Sequence, residues 1–298
     1  MFSHVVRALK TIISTPAFLF SHSAEKYYEY LGDDVVEGHH SRFVDPNKPL
    51  WLNLGYWKTA RRYPEAAEAL TSLLGTAAAL GPNDEQLDVG FGFAEQDVYW
   101  VQNFGVKHIT GVNITKMQVE RATERVAQRG LSDRIKLQVG SATELPFADA
   151  SFDKVTALEC AFHFDTRQRF FEEAFRVLRP GGRLATADCA AAPGNPPLNF
   201  ASRIALKRWS APLANVYDLD EYVKRLEQVG FVNVRGESIT NYVFPGCLKY
   251  NELRHKGVSL QDAVIELSQE EIDNCAGKEL LANMGMADYI LVSADKPR

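Results

Sequence analysis

Two clusters of residues in this chain have types and spacing that suit chemistry. The first is Asp88-Val-Gly90-Phe-Gly92-Phe-Ala94. Glycines where a strand gives way to a helix let backbone N–H groups approach a ligand closely, and the helix N-terminus behind them favours a carboxylate or phosphate. A dinucleotide fingerprint would want a third small residue where Glu95 stands, and its charge would meet the pyrophosphate, so the spacing points to a different nucleoside ligand. The second cluster is Glu159-Cys-Ala-Phe-His163, with Asp188 further along. Histidine titrates near working pH and suits taking a proton from a hydroxyl.

The elements around these clusters would bring them together. Gln86 to Gly90 is a short strand running into the glycines, followed by a helix through about Phe104. Further strands are expected at 108–113, 134–139, 152–158, 183–187 and 231–234, with a last one at 287–293, and helices at 116–129, 167–178 and 218–229. Strands alternating with helices at this spacing argue for right-handed βαβ units around a parallel sheet. Open parallel sheets bind ligands at the carboxyl ends of their strands, where both clusters fall. Pro64 to Leu80 is a helix stopped by Gly81-Pro82. Two stretches, 189–217 and 241–283, interrupt the alternation and suit cap insertions.

Composition narrows the classes. The 298 residues are 46% hydrophobic and 24% charged, and 33 Lys plus Arg stand against 38 Asp plus Glu, a net charge of −5. That balance argues against a nucleic-acid binder held by phosphate contacts. Cys160, Cys189, Cys247 and Cys275 lie far apart without zinc-like spacing, so no structural metal and a reducing compartment are expected. Apolar runs stop well short of the roughly 20 residues a membrane span needs, and the start lacks a signal-peptide pattern; a cytoplasmic protein is expected. Phe2, Val5, Val6, Leu9, Ile12 and Ile13 recur at helical spacing. Residues 1–13 would pack on their own domain or on a partner subunit of a homo-oligomer, or touch a membrane surface. The aromatic stretch 23–57 suggests a lid.

Asp88-x-Gly90-x-Gly92, the loop Gly140 to Phe147, Ser151-Phe-Asp153 and the turn Arg176 to Gly182, in that order, resemble the motifs of a class I S-adenosylmethionine-dependent methyltransferase. Asp88-x-Gly90-x-Gly92 matches the family's first motif and Gly140-Ser-Ala-Thr-Glu-Leu-Pro-Phe147 its adenine-side loop. Ser151-Phe-Asp153 matches the entry to the fourth strand, and Arg176-Val-Leu-Arg-Pro-Gly-Gly182 the turn before the fifth. Leu52-Asn-Leu-Gly-Tyr-Trp57 and Gly111-x-Asn113-x-Thr115-x-x-Gln118 look like the branch acting on natural products, macrolide sugars, tocopherols and sterols. The resemblance implies an α/β, Rossmann-like seven-stranded mostly parallel sheet flanked by helices, with a helical and aromatic cap. Residues 1–298 would form one domain: a lid over 1–79, a cofactor-binding core over 80–188, cap insertions at 189–217 and 241–283, and the rest of the core at 218–240 and 284–298.

The implied cofactor is S-adenosylmethionine. Asp88 would fix the glycine turn and receive the methionine ammonium directly or through water, with Gly90 and Gly92 leaving room. Asn113 would meet the ribose, Ile114 the adenine face, and Ser141 and Ala142 the adenine edge, with Gln118 of the same motif as Asn113 also among the cofactor-binding residues. An acid is usual where Asn113 stands, a glycine where Ala94 stands and an Asp where Ser141 stands, so weaker cofactor binding is expected. His163 would be the general base or a structural histidine. Asp188 would orient it or cap the next helix, and Glu159 would hold the cofactor ammonium or a cationic intermediate. Tyr27, Tyr28, Trp57, Phe162 and Phe164 would line an apolar acceptor pocket or simply pack, with His39 and His40 as secondary candidates. The expected reaction is O-methylation of a hydroxylated small molecule. The alternatives are C-methylation of a prenyl or sterol-like lipid, and a cyclase or structural subunit that binds cofactor without transfer.

Overall fold

The computed structural model describes residues 49–194, 197–255, 264–273 and 286–298. Residues 1–13, Tyr27, Tyr28, His39, His40 and Cys275 lie outside this set. Seven strands form one sheet: β1 Glu85–Val89, β2 His108–Asn113, β3 Ile135–Val139, β4 Phe152–Leu158, β5 Leu178–Ala190, β6 Val232–Ser238 and β7 Asp288–Asp295. Their order is β3-β2-β1-β4-β5-β7-β6, parallel from β3 to β5, with β7 antiparallel to both neighbours. This is the expected Rossmann-like α/β sheet. The order reverses between β1 and β4, so the crevice at their carboxyl ends is the ligand position of an open parallel sheet.

Helices cover both faces. On one lie α1 Tyr63–Ala77, α2 Glu95–Asn103, α3 Lys116–Gln128 and, beyond a short α5 Phe200–Arg208, α7 Thr240–His255; on the other lie α4 Arg167–Val177 and α6 Leu219–Val229. A last short helix, α8, spans Gln269–Asp273. Leu70, Leu74, Trp100, Val119, Val126, Val243 and Phe244 fill the first core, and Phe170, Phe171, Val177, Tyr222 and Leu226 the second. Each fully buried large apolar side chain contributes about 1.5–3 kcal/mol. Trp100 locks α2 to α1: its Nε1 donates to the Thr71 carbonyl at 2.9 Å, and only the bare Cα of Gly75 makes room for the indole.

The boundaries follow local chemistry. Helix α6 starts at Asp218, whose Oδ1 accepts from the Glu221 N–H at 3.1 Å, and ends at Gly230 with φ +115°. Helix α1 stops before the expected Gly81-Pro82, because Ala79 turns left-handed and the Leu80 N–H closes back on the Gly75 carbonyl. Strand β5 is longer than 183–187, since Leu178 pairs with Phe152 across an irregularity and Cys189 and Ala190 pair with β7. The stretch from 189 therefore begins inside the sheet. Among the described residues no helix is long and apolar enough to cross a membrane.

Candidate functional site

The glycine turn follows β1. Gly90 and Gly92 have φ +75° and +59°, a region open to glycine at no steric cost. A Cβ on Gly90 would lie 2.6 Å from the Cys160 Cβ, and one on Gly92 would lie 2.8 Å from Leu52 Cδ1. Ala94 caps α2 at φ +60°, so the place of a third glycine is held by an alanine in a strained conformation. Beneath the turn Asp88 is fully buried. Gln86 Nε2 donates to Thr156 Oγ1 at 2.8 Å, Thr156 Oγ1 donates to Asp88 Oδ1 at 2.6 Å, and Gln96 Nε2 donates to Oδ2 at 3.1 Å. Burial raises the Asp88 carboxyl to about 7 against these stabilising bonds. Asp88 thus ties β1 to Thr156 of β4 and Gln96 of α2 beneath the turn, its side chain closed to solvent.

Beside β1, β2 ends on Asn113, whose Nδ2 donates to Gln118 Oε1 at 2.7 Å. Gln118 Nε2 is buried and has no hydrogen-bond partner among the described residues. Ile114 leaves 46% of its surface exposed at the mouth, an apolar face that a flat base would cover. The loop at 140–147, expected on the adenine side, is a hydroxyl-stabilised turn, with Ser141 Oγ 2.9 Å from Thr143 Oγ1 and accepting from the Thr143 N–H at 3.2 Å. Arg176 of α4 staples it by donating to the Leu145 and Phe147 carbonyls at 3.0 and 2.7 Å, while Glu173 accepts the Leu145 N–H at 2.8 Å. Ala142, within this loop, is buried. A cradle that any Cβ would fill, an unsatisfied amide donor and an exposed apolar residue together fit a carboxylate-bearing adenosine such as S-adenosylmethionine.

The turn after β4 abuts the glycines. Glu159 sits at φ +53°, its N–H donating to the Ala187 carbonyl, and Cys160 Sγ donates to the Val89 carbonyl at 3.0 Å. Ala161–His163 form one 3₁₀ turn, and the Phe164 ring comes within 3.9 Å of where a Gly90 Cβ would be. His163 is buried, its ring 3.8 Å centroid to centroid from Phe162, and hydrogen-bonds to the backbone of Trp209 and Ser210. Burial lowers its pKa to about 4, so the ring is neutral at physiological pH.

Asp188 does not reach His163. It pairs with Arg167 at 2.9 Å, both side chains fully buried, and its Oδ1 accepts the Phe162 N–H at 3.4 Å. Arg167 also donates to the Cys189 and Asn215 carbonyls, each at 2.8 Å, and lies over the rings of Tyr217 and Tyr222. Asn215 Nδ2 donates to the Phe162 and Phe164 carbonyls at 3.1 and 2.6 Å. The Asp188–Arg167–Asn215 set therefore holds the backbone on both sides of His163. Sequence reasoning missed Arg167, although a cation in the first turn of a helix opposes the helix dipole and signals a buried partner.

A strap formed by residues 50–57 crosses the site. Both Glu159 carboxylate oxygens accept the Leu54 N–H, at 2.9 and 3.0 Å, and Tyr289 Oη donates to Oε1 at 2.5 Å. Burial raises the Glu159 carboxyl to about 7. Glu159 is thus engaged in holding the strap. Asn53 pins the strap to α1 by donating to the Ala67 carbonyl at 3.3 Å, and Tyr63 Oη donates to the Trp51 and Asn53 carbonyls at 3.0 and 2.9 Å. Trp57, a candidate for the acceptor pocket, instead packs with Ala66, Tyr63, Tyr250 and Ile265, and a Cβ on Gly246 would strike its ring at 2.1 Å.

Comparisons with known proteins agree with this geometry. Residues 87–186 match the family described as a methyltransferase domain. The chain is 33% identical over 293 residues to the erythromycin 3''-O-methyltransferase of Saccharopolyspora erythraea, covering 93% of this chain and 91% of that one. It is 32% identical to the 27-O-demethylrifamycin SV methyltransferase of Amycolatopsis mediterranei, covering 86% and 94%. A solved geranyl diphosphate C-methyltransferase from Streptomyces coelicolor A3(2) superposes with a TM-score of 0.65 over 95% of this chain and 99% of that one, at 17% identity. With the fold, the glycine turn and near-full-length relatives in agreement, the chain belongs to the S-adenosylmethionine-dependent methyltransferases.

Proposed function

We propose that this enzyme methylates a hydroxyl oxygen of a natural product, with His163 as the general base. The observation that carries the reading is a buried histidine, kept neutral by its surroundings, in the turn that packs on the glycine loop. The names of the two near-full-length relatives, an erythromycin and a rifamycin methyltransferase, support the acceptor class. Bound at the glycine turn, S-adenosylmethionine supplies a methyl group on a sulfonium. Gly90, Gly92, Asn113, Ile114, Gln118, Ser141 and Ala142 would hold it. His163 would take the acceptor proton on a ring nitrogen as the hydroxyl oxygen becomes an ether, and Phe162 and Phe164 would shield that proton from water. Asp188 and Arg167 act as positioning residues, since they hold the turn and not the ring. Most of the rate comes from holding acceptor and methyl group in near-attack geometry.

The test is incubation with methyl-labelled S-adenosylmethionine and a panel of macrolides, phenols, prenyl diphosphates and sterols, with labelled products identified by mass spectrometry. An ether product supports the reading, and a carbon-methylated product overturns it. His163→Ala should lower kcat by about 100-fold or more with little change in cofactor affinity. An unchanged pH–rate profile in that variant removes His163 from the base role.

A further inference from the structure

Tyr289, near the start of β7, is fully buried, and the start of α7 fixes its backbone and ring. Its N–H donates to Thr240 Oγ1 at 2.7 Å, its carbonyl accepts the Ile239 N–H at 2.8 Å, and its ring meets that of Phe244 edge to face at 5.9 Å. A phenylalanine would fill that space without the cost of burying a hydroxyl. Among the described residues the hydroxyl has one use, the bond to Glu159 Oε1 at 2.5 Å. Glu159 itself stands at φ +53°, a strained conformation that persists only where the surroundings enforce it. Here the Leu54 N–H and Tyr289 Oη converge on its carboxylate. The strap is tied to α1 through Asn53 and the Tyr56 N–H, and to α7 through the Trp57 N–H, which donates to the Tyr242 carbonyl at 2.6 Å. Toward the strand ends, Leu54 to Glu159 is its one hydrogen bond among the described residues. Leu52, two residues before Leu54, lies against the glycine turn, 2.8 Å from where a Gly92 Cβ would stand.

We propose that Tyr289 is a positioning residue for the cofactor, acting through Glu159 to hold the strap on the glycine turn. The phenol hydroxyl fixes the carboxylate where it takes the Leu54 N–H, and that bond keeps Leu52 seated beside Gly92. Without it the strap stays anchored along α1 and α7 and comes loose over the turn. A ligand at the turn is then retained by a strap already in place, and none of its binding free energy goes into ordering that segment. The inference rests on the cofactor lying at the glycine turn and is independent of the acceptor.

Amide hydrogen exchange read by mass spectrometry, with calorimetry of S-adenosylhomocysteine on the full chain, tests it. In the wild type the ligand should slow exchange in both 50–57 and 88–95. Tyr289→Phe should speed exchange in 50–57 by about tenfold and weaken the ligand by about tenfold, as expected for one lost hydrogen bond to a charged acceptor, while 152–158 changes less than about twofold. Glu159→Ala should do at least as much. Adding Tyr289→Phe to it should cost less than about twofold further, because the hydroxyl acts through the carboxylate. A full tenfold loss in that background overturns the proposal, as does a Tyr289→Phe variant with wild-type strap exchange or unchanged affinity. Ligand protection of 88–95 without protection of 50–57 overturns it and leaves the cofactor site standing; protection of neither overturns the site as well. If Tyr289→Phe does not fold, the wild-type protection and the strap exchange of Glu159→Ala still decide.

Discussion

The two halves of the site are built by different means. The cofactor half, from β1 to β3, is mostly backbone: positive-φ glycines, a left-handed Ala94, and a hydroxyl turn at Ser141 to Thr143. Two of its side-chain bonds, Asn113 to Gln118 and Gln96 to Asp88, are short in sequence, while Thr156 and Arg176 brace it from β4 and α4. The acceptor half, at the ends of β4 and β5, is held by side chains from remote segments: Glu159 to Leu54 and Tyr289, Arg167 to Asp188, Asn215 to Phe162. A site for one unchanging ligand can be a local backbone form. A site that differs between relatives hangs on long-range contacts that loops and insertions can exchange.

Breaking the acceptor half should cost the most. Arg167→Met leaves Asp188 buried without its partner and the Asn215 carbonyl without its guanidinium donor, so a loss of about 3–5 kcal/mol is expected. In a chain of this size that is a fall in Tm of roughly 10 °C, measured by calorimetry or circular dichroism. Pairing it with Asp188→Leu removes the stranded charge, and the double variant should regain at least about half of the loss. Additive losses would mean that Arg167 acts through its backbone carbonyls and its tyrosines, not through Asp188.

The same contrast governs what the sequence made legible. Strands β1 to β4, the glycine turn and Asn113 could be read because hydrophobic alternation, turn residues and near-neighbour spacing are all local. Leu54 could not, since its contribution is a backbone N–H that any residue type would supply. Trp57 was ambiguous for another reason: a large aromatic ring fits a pocket wall or a packed core equally, and only Gly246, nearly 190 positions away, decides for the core. Asp188 had the right residue type and strand end, but its direction depended on Arg167.

Breaking the cofactor half should affect binding more than folding. Gly90→Ala forces a Cβ into Cys160 and holds a non-glycine residue at φ +75°, a local cost of about 1–3 kcal/mol that the turn relieves by shifting. Affinity for S-adenosylhomocysteine should fall by about 10- to 100-fold in calorimetry. An unchanged affinity would show that the turn is not where the cofactor lies.

The join between the halves is Glu159, and pH should reveal it. Its carboxyl rises to about 7 on folding, so the native state keeps a proton that the unfolded chain releases from pH about 4.5 upward. Stability from this group is therefore fully present below about 4.5 and declines as pH rises to about 7, where the decline levels off. Glu159→Gln removes that contribution and can still accept the Leu54 N–H. The fall in Tm between pH about 5 and 8 should be smaller in the variant by roughly 2–4 °C. A parallel fall in both proteins would place the titration on Asp88 or Asp188 instead.

The smallest change should strengthen the cofactor half. Asn113 stands where the family usually has an acid, and Gln118 Nε2 beside it is unsatisfied. Asn113→Asp allows the Gln118 amide to turn over and donate to the new carboxylate, which leaves acceptor capacity for the ribose hydroxyls. Hydrogen bonds to a charged acceptor are roughly twice as strong as neutral ones, against a partial desolvation cost at this nearly buried position. The net gain should be about 1 kcal/mol, a roughly fivefold tighter Kd for S-adenosylhomocysteine. Repeating the measurement in Asn113→Asp with Gln118→Ala should erase the gain, because the carboxylate then lacks the donor that holds it toward the ribose. A gain that persists without Gln118 would mean that the charge alone, and not the turned amide, tightens the site.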